Sequence, residues 1–166
     1  DDDDAGGDRA TVAGGTHNAA NGEWAVLGGG HTNAARGPRS TVGGGSENAA
    51  LSGDATVGGG SQNEAAGAGS VVAGGAGNAA ESENAAVGGG VRNHARAPRT
   101  TVGGGGRNAA VGAGATVGGG SSGNCSSNRW SPPSRSGSGS GSGWSVDTSR
   151  RSSGAHDLRP RALRTP

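Results

Sequence analysis

Residues 40–54 read STVGGGSENAALSGD, and residues 55–69 continue as ATVGGGSQNEAAGAG, which is the same pattern shifted by fifteen positions. Each unit joins a short β-branched stretch to a run of glycines and then to Asn and Ala. Steps of fifteen in both directions from Val42 meet a branched aliphatic residue in eight consecutive units. A fixed repeat period indicates a solenoid, in which every unit stacks on the unit before it.

Four positions of the repeat are almost constant. The aliphatic row contains Val12, Leu27, Val42, Val57, Val72, Val87, Val102 and Val117. Gly follows two and three places after each of these residues. Six places after them, seven units carry the Asn row, which contains Asn18, Asn33, Asn48, Asn63, Asn78, Asn93 and Asn108. Ala follows eight places after them in the same seven units, and no insertion or deletion interrupts the pattern before residue 123.

A unit of fifteen residues is too short for two packed helices, and its glycines disfavour any helix. The Thr-Val pairs suit a strand, the Gly pair suits a corner with positive φ, and Asn tolerates a left-handed turn. One unit therefore predicts two short strands and two turns, which form one coil of a parallel β-solenoid. Eight coils at about 4.8 Å each predict a rod of about 38 Å.

Composition excludes several other architectures. The chain has 166 residues, 39 of them Gly, and its hydrophobic fraction of 29% is too low for a core of large side chains. Gly does not recur at every third position, so the chain is not collagen, and no apolar run could cross a membrane. The single Cys125 cannot form an internal disulfide.

Charge and composition divide the chain into segments. Residues 1–125 carry seven Arg and eleven Asp or Glu, a net charge of −4, whereas residues 126–166 carry seven Arg and two Asp, a net charge of +5. We predict an acidic N-terminal segment at 1–9, the repeats at 10–125 and a disordered Ser-, Gly- and Arg-rich tail at 126–166. The start of the chain has no signal-peptide pattern, so we expect it to be a fragment or a processed form.

The interior of one coil is small. We expect the aliphatic row and the Ala row to point inward, and the Asn row to form a ladder of stacked amides. The residue before each aliphatic position points outward yet is apolar or β-branched in every unit. This outward row contains Thr11, Val26, Thr41, Thr56, Val71, Ala86, Thr101 and Thr116. Because so small a core cannot offset the backbone entropy of the ordered chain, we predict an obligate oligomer that buries this row.

Stretches 40–50 and 55–63 resemble the head repeats of trimeric autotransporter adhesins, the YadA-like head. The matching elements are the small-x-Val-x-Gly strand and the Asn-x-Ala-x-Gly segment, and the resemblance covers residues 10 to about 122. It implies a left-handed parallel β-roll, a homotrimer and an adhesive function at a bacterial cell surface. The final Gly of the second element is replaced by Ser52, Ser82 and Ala97, and the tail shows neither coiled-coil heptads nor barrel strands.

Two readings of function follow from this resemblance. The first is a non-enzymatic adhesive head that binds an extracellular matrix protein or a glycan, with no specific nucleic acid and no direct membrane insertion by this segment. The second is a structural solenoid spacer, or a segment like a phage tail fibre, without adhesive activity. A solenoid enzyme is the third possibility, but the repeat shows no groove of catalytic acids.

No cofactor or metal is expected from the sequence. A phosphate-binding P-loop needs a Lys, and the chain has none. Calcium-binding solenoids need a row of Asp, which is absent, and an ice-binding solenoid needs a regular Thr array, which the outward row interrupts. His17, His31 and His94 occupy three different repeat positions, so they do not predict converging ligands.

Arginines mark the candidate ligand-facing loops. Arg36 and Arg39 flank Gly37-Pro38, and Arg96 and Arg99 flank Ala97-Pro98 at the same repeat positions four coils later. We predict that these loops form basic spots for an anionic polysaccharide or a matrix protein. The alternative is that these charges are only solvated and keep a Gly-rich rod soluble.

Overall fold

Every coil contains two strands of two residues, one at the β-branched pair and one at the Ala pair. The strands are β1 (Thr11–Val12), β2 (Ala19–Ala20), β3 (Val26–Leu27), β4 (Ala34–Ala35), β5 (Thr41–Val42), β6 (Ala49–Ala50), β7 (Thr56–Val57), β8 (Glu64–Ala65), β9 (Val71–Val72), β10 (Ala79–Ala80), β11 (Ala86–Val87), β12 (His94–Ala95), β13 (Thr101–Val102), β14 (Ala109–Ala110), β15 (Thr116–Val117) and β16 (Asn124–Cys125). This computed structural model describes residues 2–125, so the tail predicted to be disordered at 126–166 lies outside the described residues.

The strands form two parallel sheets of eight strands each. The odd-numbered strands make the first sheet and the even-numbered strands make the second, in chain order along the rod. Paired residues are fifteen apart throughout, as in Thr41 with Thr56 and Val42 with Val57. The structure therefore confirms an all-β solenoid of eight coils with a fifteen-residue period.

Backbone hydrogen bonds join each coil to the next. The N–H of Thr41 donates to the carbonyl of Ala55 at 2.9 Å, and the N–H of Gly43 donates to the carbonyl of Val57 at 2.9 Å. A third parallel ladder of single residues follows the glycines, as in the bridge between Ser46 and Ser61. Because glycines and corners follow each strand at once, no strand extends beyond two residues.

Small side chains fill the interior. The aliphatic row is buried from Leu27 to Val117, and Val12 in the first coil is half-buried. The Ala row is buried from Ala20 to Ala110, and Cys125 continues it in the last coil. The alternation along each strand leaves the outward row exposed or half-buried, as the pleat requires.

The Asn row forms a buried hydrogen-bonded ladder that differs from a stack of amides. Asn63 Nδ2 donates to the carbonyl of Gly59 in its own coil at 2.9 Å and to that of Gly75 in the next coil at 2.8 Å. Its Oδ1 accepts the backbone N–H of Asn78 at 3.0 Å. Direct bonds between carboxamides link Asn33 to Asn18, Asn78 to Asn63 and Asn108 to Asn93. The main partners are backbone groups, because the Gly corner presents its carbonyl oxygens to the carboxamide.

Other residues continue the ladder at its two ends. Asp3 Oδ1 accepts the backbone N–H of Asn18 at 2.9 Å, and the N–H of Gly123 donates to Asn108 Oδ1 at 2.7 Å. Asp4 also pairs with Ala19 in a parallel bridge. The solenoid pairing therefore extends into the acidic segment 1–9, which the repeat pattern had placed outside the coils.

Besides the Gly pair, two single-residue corners in each coil have positive φ. The first corner row lies five places after the aliphatic row and contains His17, Thr32, Glu47, Gln62, Gly77, Arg92, Arg107 and Ser122. The second corner row lies three places before it and contains Arg9, Trp24, Arg39, Asp54, Gly69, Asn84, Arg99 and Gly114. Thirteen of these sixteen residues are not Gly. Each of the two corners donates its N–H to the preceding coil, as Arg39 does to the carbonyl of Glu23 at 2.7 Å.

Substitution of Asn63 by Ala should lower the free energy of unfolding by about 3 kcal/mol, because two carbonyls and one N–H lose a buried partner. Substitution of the adjacent Gln62, which is exposed, should change it by less than about 0.5 kcal/mol. Urea unfolding followed by circular dichroism measures both variants. Equal stability of the two variants would contradict a structural role for the ladder.

Substitution of Gly75 by Ala should destabilise the chain by about 2 kcal/mol or more. Its φ is 91°, and an added Cβ would overlap the carbonyl oxygen of Gly90 in the next coil. The neighbouring Gly74 is the matched control, because a Cβ there meets nothing closer than the carbonyl oxygen of Gly59 at 3.9 Å. Thermal unfolding of the two Ala variants should therefore give a markedly lower midpoint for the change at Gly75 alone.

Candidate binding surface

The two corner rows hold five of the seven arginines of residues 2–125. A non-Gly residue with positive φ costs about 1 kcal/mol, and the glycines of the rows show that the coil accepts a strain-free residue there. Strained residues persist where the surroundings fix them, and they concentrate at functional sites. The corner rows are therefore the first places on this rod to examine for binding.

Arg39 is neutralised by the next coil. Its Nε and Nη2 donate to the two carboxylate oxygens of Asp54, each at 2.7 Å. The hydrogen bond from Arg39 is the main cause that holds the pKa of Asp54 below its usual 3.8, and the positive charge acts in the same direction. The same pair raises the pKa of Arg39. Both side chains are exposed, so the pair is a surface interaction.

Arg96 also has an acidic neighbour. Its Nε lies 3.5 Å from Glu81 Oε1, and the same oxygen lies 2.8 Å from His94 Nδ1. Arg36 and Arg99 make no ion pair within residues 2–125. The four arginines predicted to face a ligand therefore differ, since two of them are paired with acids. About four coil spacings, or roughly 19 Å, separate the Arg36 loop from the Arg96 loop.

The N-terminal end of the second corner row carries the one aromatic contact with a cation in the described residues. The guanidinium carbon of Arg9 lies 4.4 Å from the centre of the Trp24 ring. Trp24 Nε1 donates to Glu23 Oε1 at 3.1 Å, which fixes the indole although it is half exposed. This arrangement matches a cation–π interaction at an exposed site.

Histidines gather near the start of the rod. The rings of His17 and His31 pack edge to face with their centres 5.7 Å apart, and His17 Nε2 lies 3.6 Å from Asp2 Oδ2. The described part of the chain contains no group of three His, Cys, Asp or Glu side chains arranged to hold a metal ion. Across residues 2–125 there is also no helix with the length and apolar character needed to span a membrane.

Comparison with known proteins returned no match: no protein-family model fits this sequence, and no curated protein is similar to it. The arguments about function therefore rest on the repeat and on the surface chemistry of the coils.

The contacts between neighbouring coils were missed by the sequence reasoning. Arg9 and Trp24 are fifteen residues apart, and so are Arg39 and Asp54. Glu47 and Gln62 are a third such pair, with Gln62 Nε2 donating to Glu47 Oε2 at 2.9 Å. The repeat period itself was the signal, because in-register stacking places residues i and i+15 side by side.

Replacement of Arg39 by Asn should raise the pKa of Asp54 towards its usual 3.8, because the carboxylate loses its hydrogen bonds and its counter-charge. Asn84 holds the same corner position, so the backbone tolerates the change. Replacement of Arg36 by Asn is the matched control and should leave the pKa of Asp54 unchanged. Carbon-detected NMR titration of the Asp54 side chain measures both.

The sign of the pH effect on stability follows from the lowered pKa. The pair stabilises the fold above the usual pKa of Asp54 and loses this contribution as the pH falls through the lower folded value. The Asn variant at position 39 should therefore lose less stability over that acidic range than the wild type. An equal loss of stability in the two proteins as the pH falls would contradict a stabilising role for the pair of Arg39 and Asp54.

Proposed function

We propose that this chain is the adhesive head module of a bacterial trimeric adhesin and has no enzymatic activity. In this proposal three copies assemble as left-handed β-rolls at the cell surface, and the corner rows meet an extracellular matrix protein or a glycan. The observation that carries the proposal is the outward row of the first sheet. That row is small and mostly β-branched, and its residues are exposed or half-buried along the rod.

The outward row has the chemistry of a contact surface between copies. It holds three aliphatic residues and five threonines, with no charge in any of the eight coils. Val71 is 41% exposed in the single chain. Association through this row would add apolar burial to a hydrophobic core built mainly from Val and Ala side chains. A homotrimer is the assembly that the YadA-like resemblance implies, and it would leave charged corners available at the surface.

The alternative function is a structural spacer without adhesive activity, such as a segment like a phage tail fibre. The strict period favours this alternative, because eight coils without an inserted loop make a uniform rod. The two functions differ in binding: a head retains cells or beads on matrix proteins or glycans, whereas a spacer does not. Both allow the same oligomer, so the two properties need separate measurements.

A Lys at Val71 should break the assembly, because a charge in the middle of the outward row would have to be buried between copies. A Lys at Val111, which is 37% exposed but lies outside that row, is the matched control. Light scattering coupled to size exclusion should give the mass of three chains for the wild type and the control, and of one chain for the variant at Val71.

Circular dichroism on the same peaks separates loss of assembly from loss of fold. A single-chain mass for the wild type with a β spectrum would refute the trimeric head and favour a monomeric spacer. A trimer that fails to retain beads on any of a panel of matrix proteins and glycans would keep the assembly but refute adhesion.

A further inference from the structure

The last described coils carry only positive charge. Residues 84–125 contain four arginines and one histidine but no Asp or Glu. The four arginines are Arg92, Arg96, Arg99 and Arg107. Glu81 in the preceding coil neutralises Arg96 and contacts His94, but Arg92 and Arg107 make no ion pair within residues 2–125.

Arg92 and Arg107 lie next to each other in the first corner row. The N–H of Arg107 donates to the carbonyl of Val91 at 2.8 Å, and Val91 pairs with Gly106, so the two coils are in direct register. Their Cα atoms are therefore about 4.8 Å apart, the usual spacing between paired strands. Both residues have positive φ, 55° and 56°, so both charged side chains are attached to strained backbone.

Elsewhere on the rod, several charged residues at corner positions have a polar partner in the adjacent coil, although Arg99 makes no ion pair within residues 2–125. Asp2 lies beside His17, Glu47 accepts a hydrogen bond from Gln62, and Arg39 pairs with Asp54. Like charges directly opposite each other in a sheet are destabilising. Arg92 and Arg107 thus place two like charges side by side on strained backbone. Gly77 and Ser122 hold the same corner position in the coils on either side.

We propose that Arg92 and Arg107 form a clamp for an anionic group of an acidic polysaccharide, a sulfate or a carboxylate. Two arginines whose Cα atoms are one coil spacing apart can bring several charge-assisted donors to the oxygens of one anion, and that anion would offset their like charges. Val91 is exposed beside Arg92 and offers apolar contact to a sugar ring. The role of this clamp in adhesion rests on the proposed head function, whereas the clamp itself rests on the arrangement of charges.

A polysaccharide fits this surface better than a nucleic acid. Single-stranded nucleic acids bind where aromatic side chains stack on bases along a cationic groove. The one Trp of the described chain, Trp24, lies more than four coils away from Arg92, and residues 84–125 contain no aromatic side chain other than His94.

The test uses the full chain and a sulfated heparin tetrasaccharide as the probe. The pair variant Arg92→Gly with Arg107→Ser places in each corner a residue that the same row already holds. The control variant Arg150→Ser with Arg151→Ser removes the same charge from two arginines to which no binding role is assigned. All other Arg residues remain in every protein.

Isothermal titration should show at least about tenfold weaker binding for the pair variant and less than about twofold for the control. In the wild type, NMR shifts caused by the tetrasaccharide should be largest at the Nε–H groups of Arg92 and Arg107. Equal losses in both variants, or shifts centred on other residues, would overturn the clamp. Tighter, pair-dependent binding of a single-stranded oligonucleotide would overturn the choice of polysaccharide.

The result is separable from the proposed function. A wild type that is trimeric and adhesive but does not bind the tetrasaccharide would overturn the clamp and leave the head function standing. A wild type that binds the tetrasaccharide through the pair but does not retain beads would keep the clamp and overturn the head function.

Discussion

In seven of the eight coils, one buried carboxamide joins the Gly corner of its own coil to the coil that follows. Asn63 accepts an N–H from the following coil and donates to one carbonyl in its own coil and one in the next. The carbonyl of Gly59 and the N–H of Asn78 lie outside the two-residue strands, and the carbonyl of Gly75 also accepts the N–H of Ser61. A buried polar group without a partner is costly. The glycines beside the carboxamide follow from the same constraint, because a Cβ would enter the space between the coils.

The interior of this rod consequently accepts fewer residue types than its surface corners do. Inside, the positions accept only small or aliphatic residues, Asn and Gly, with Ser40, Ser70, Thr100 and Cys125 among the small ones, because stacking repeats each side chain at the spacing of one coil. Outside, the corner rows accept residues as different as Trp24, Asp54 and Arg99 within the same backbone conformation. Surface chemistry can therefore change along the rod without a change of fold, which is how a repetitive scaffold carries a local property such as the cationic coils at 85–114.

The sequence was sufficient for the coil, its period, the number of coils and the parallel stacking, because equivalents of Val42 and Gly44 recur in all eight units and equivalents of Asn48 in seven. It was not sufficient for the partners of the Asn row, which depend on where the Gly corner directs its carbonyls. The pairing of Asp3 and Asp4 with the next coil was missed. Both residues lie at positions of the repeat, but neither is of the residue type that the repeat has there. The acid partners of Arg39 and Arg96 depend on rotamers, which a repeat pattern does not specify.

The parallel register has a consequence for how such a chain can change its length. Apart from bonds within one coil, such as the N–H of Ser40 to the carbonyl of Gly37, each coil makes its hydrogen bonds only with the coil before or after it, as Arg39 does with the carbonyl of Glu23. Removal or duplication of fifteen codons joins two equivalent surfaces and leaves the remaining coils as they were. A change of any other size moves an inward residue to a corner and a Gly into a strand, so genes for this scaffold can lengthen or shorten only in whole coils.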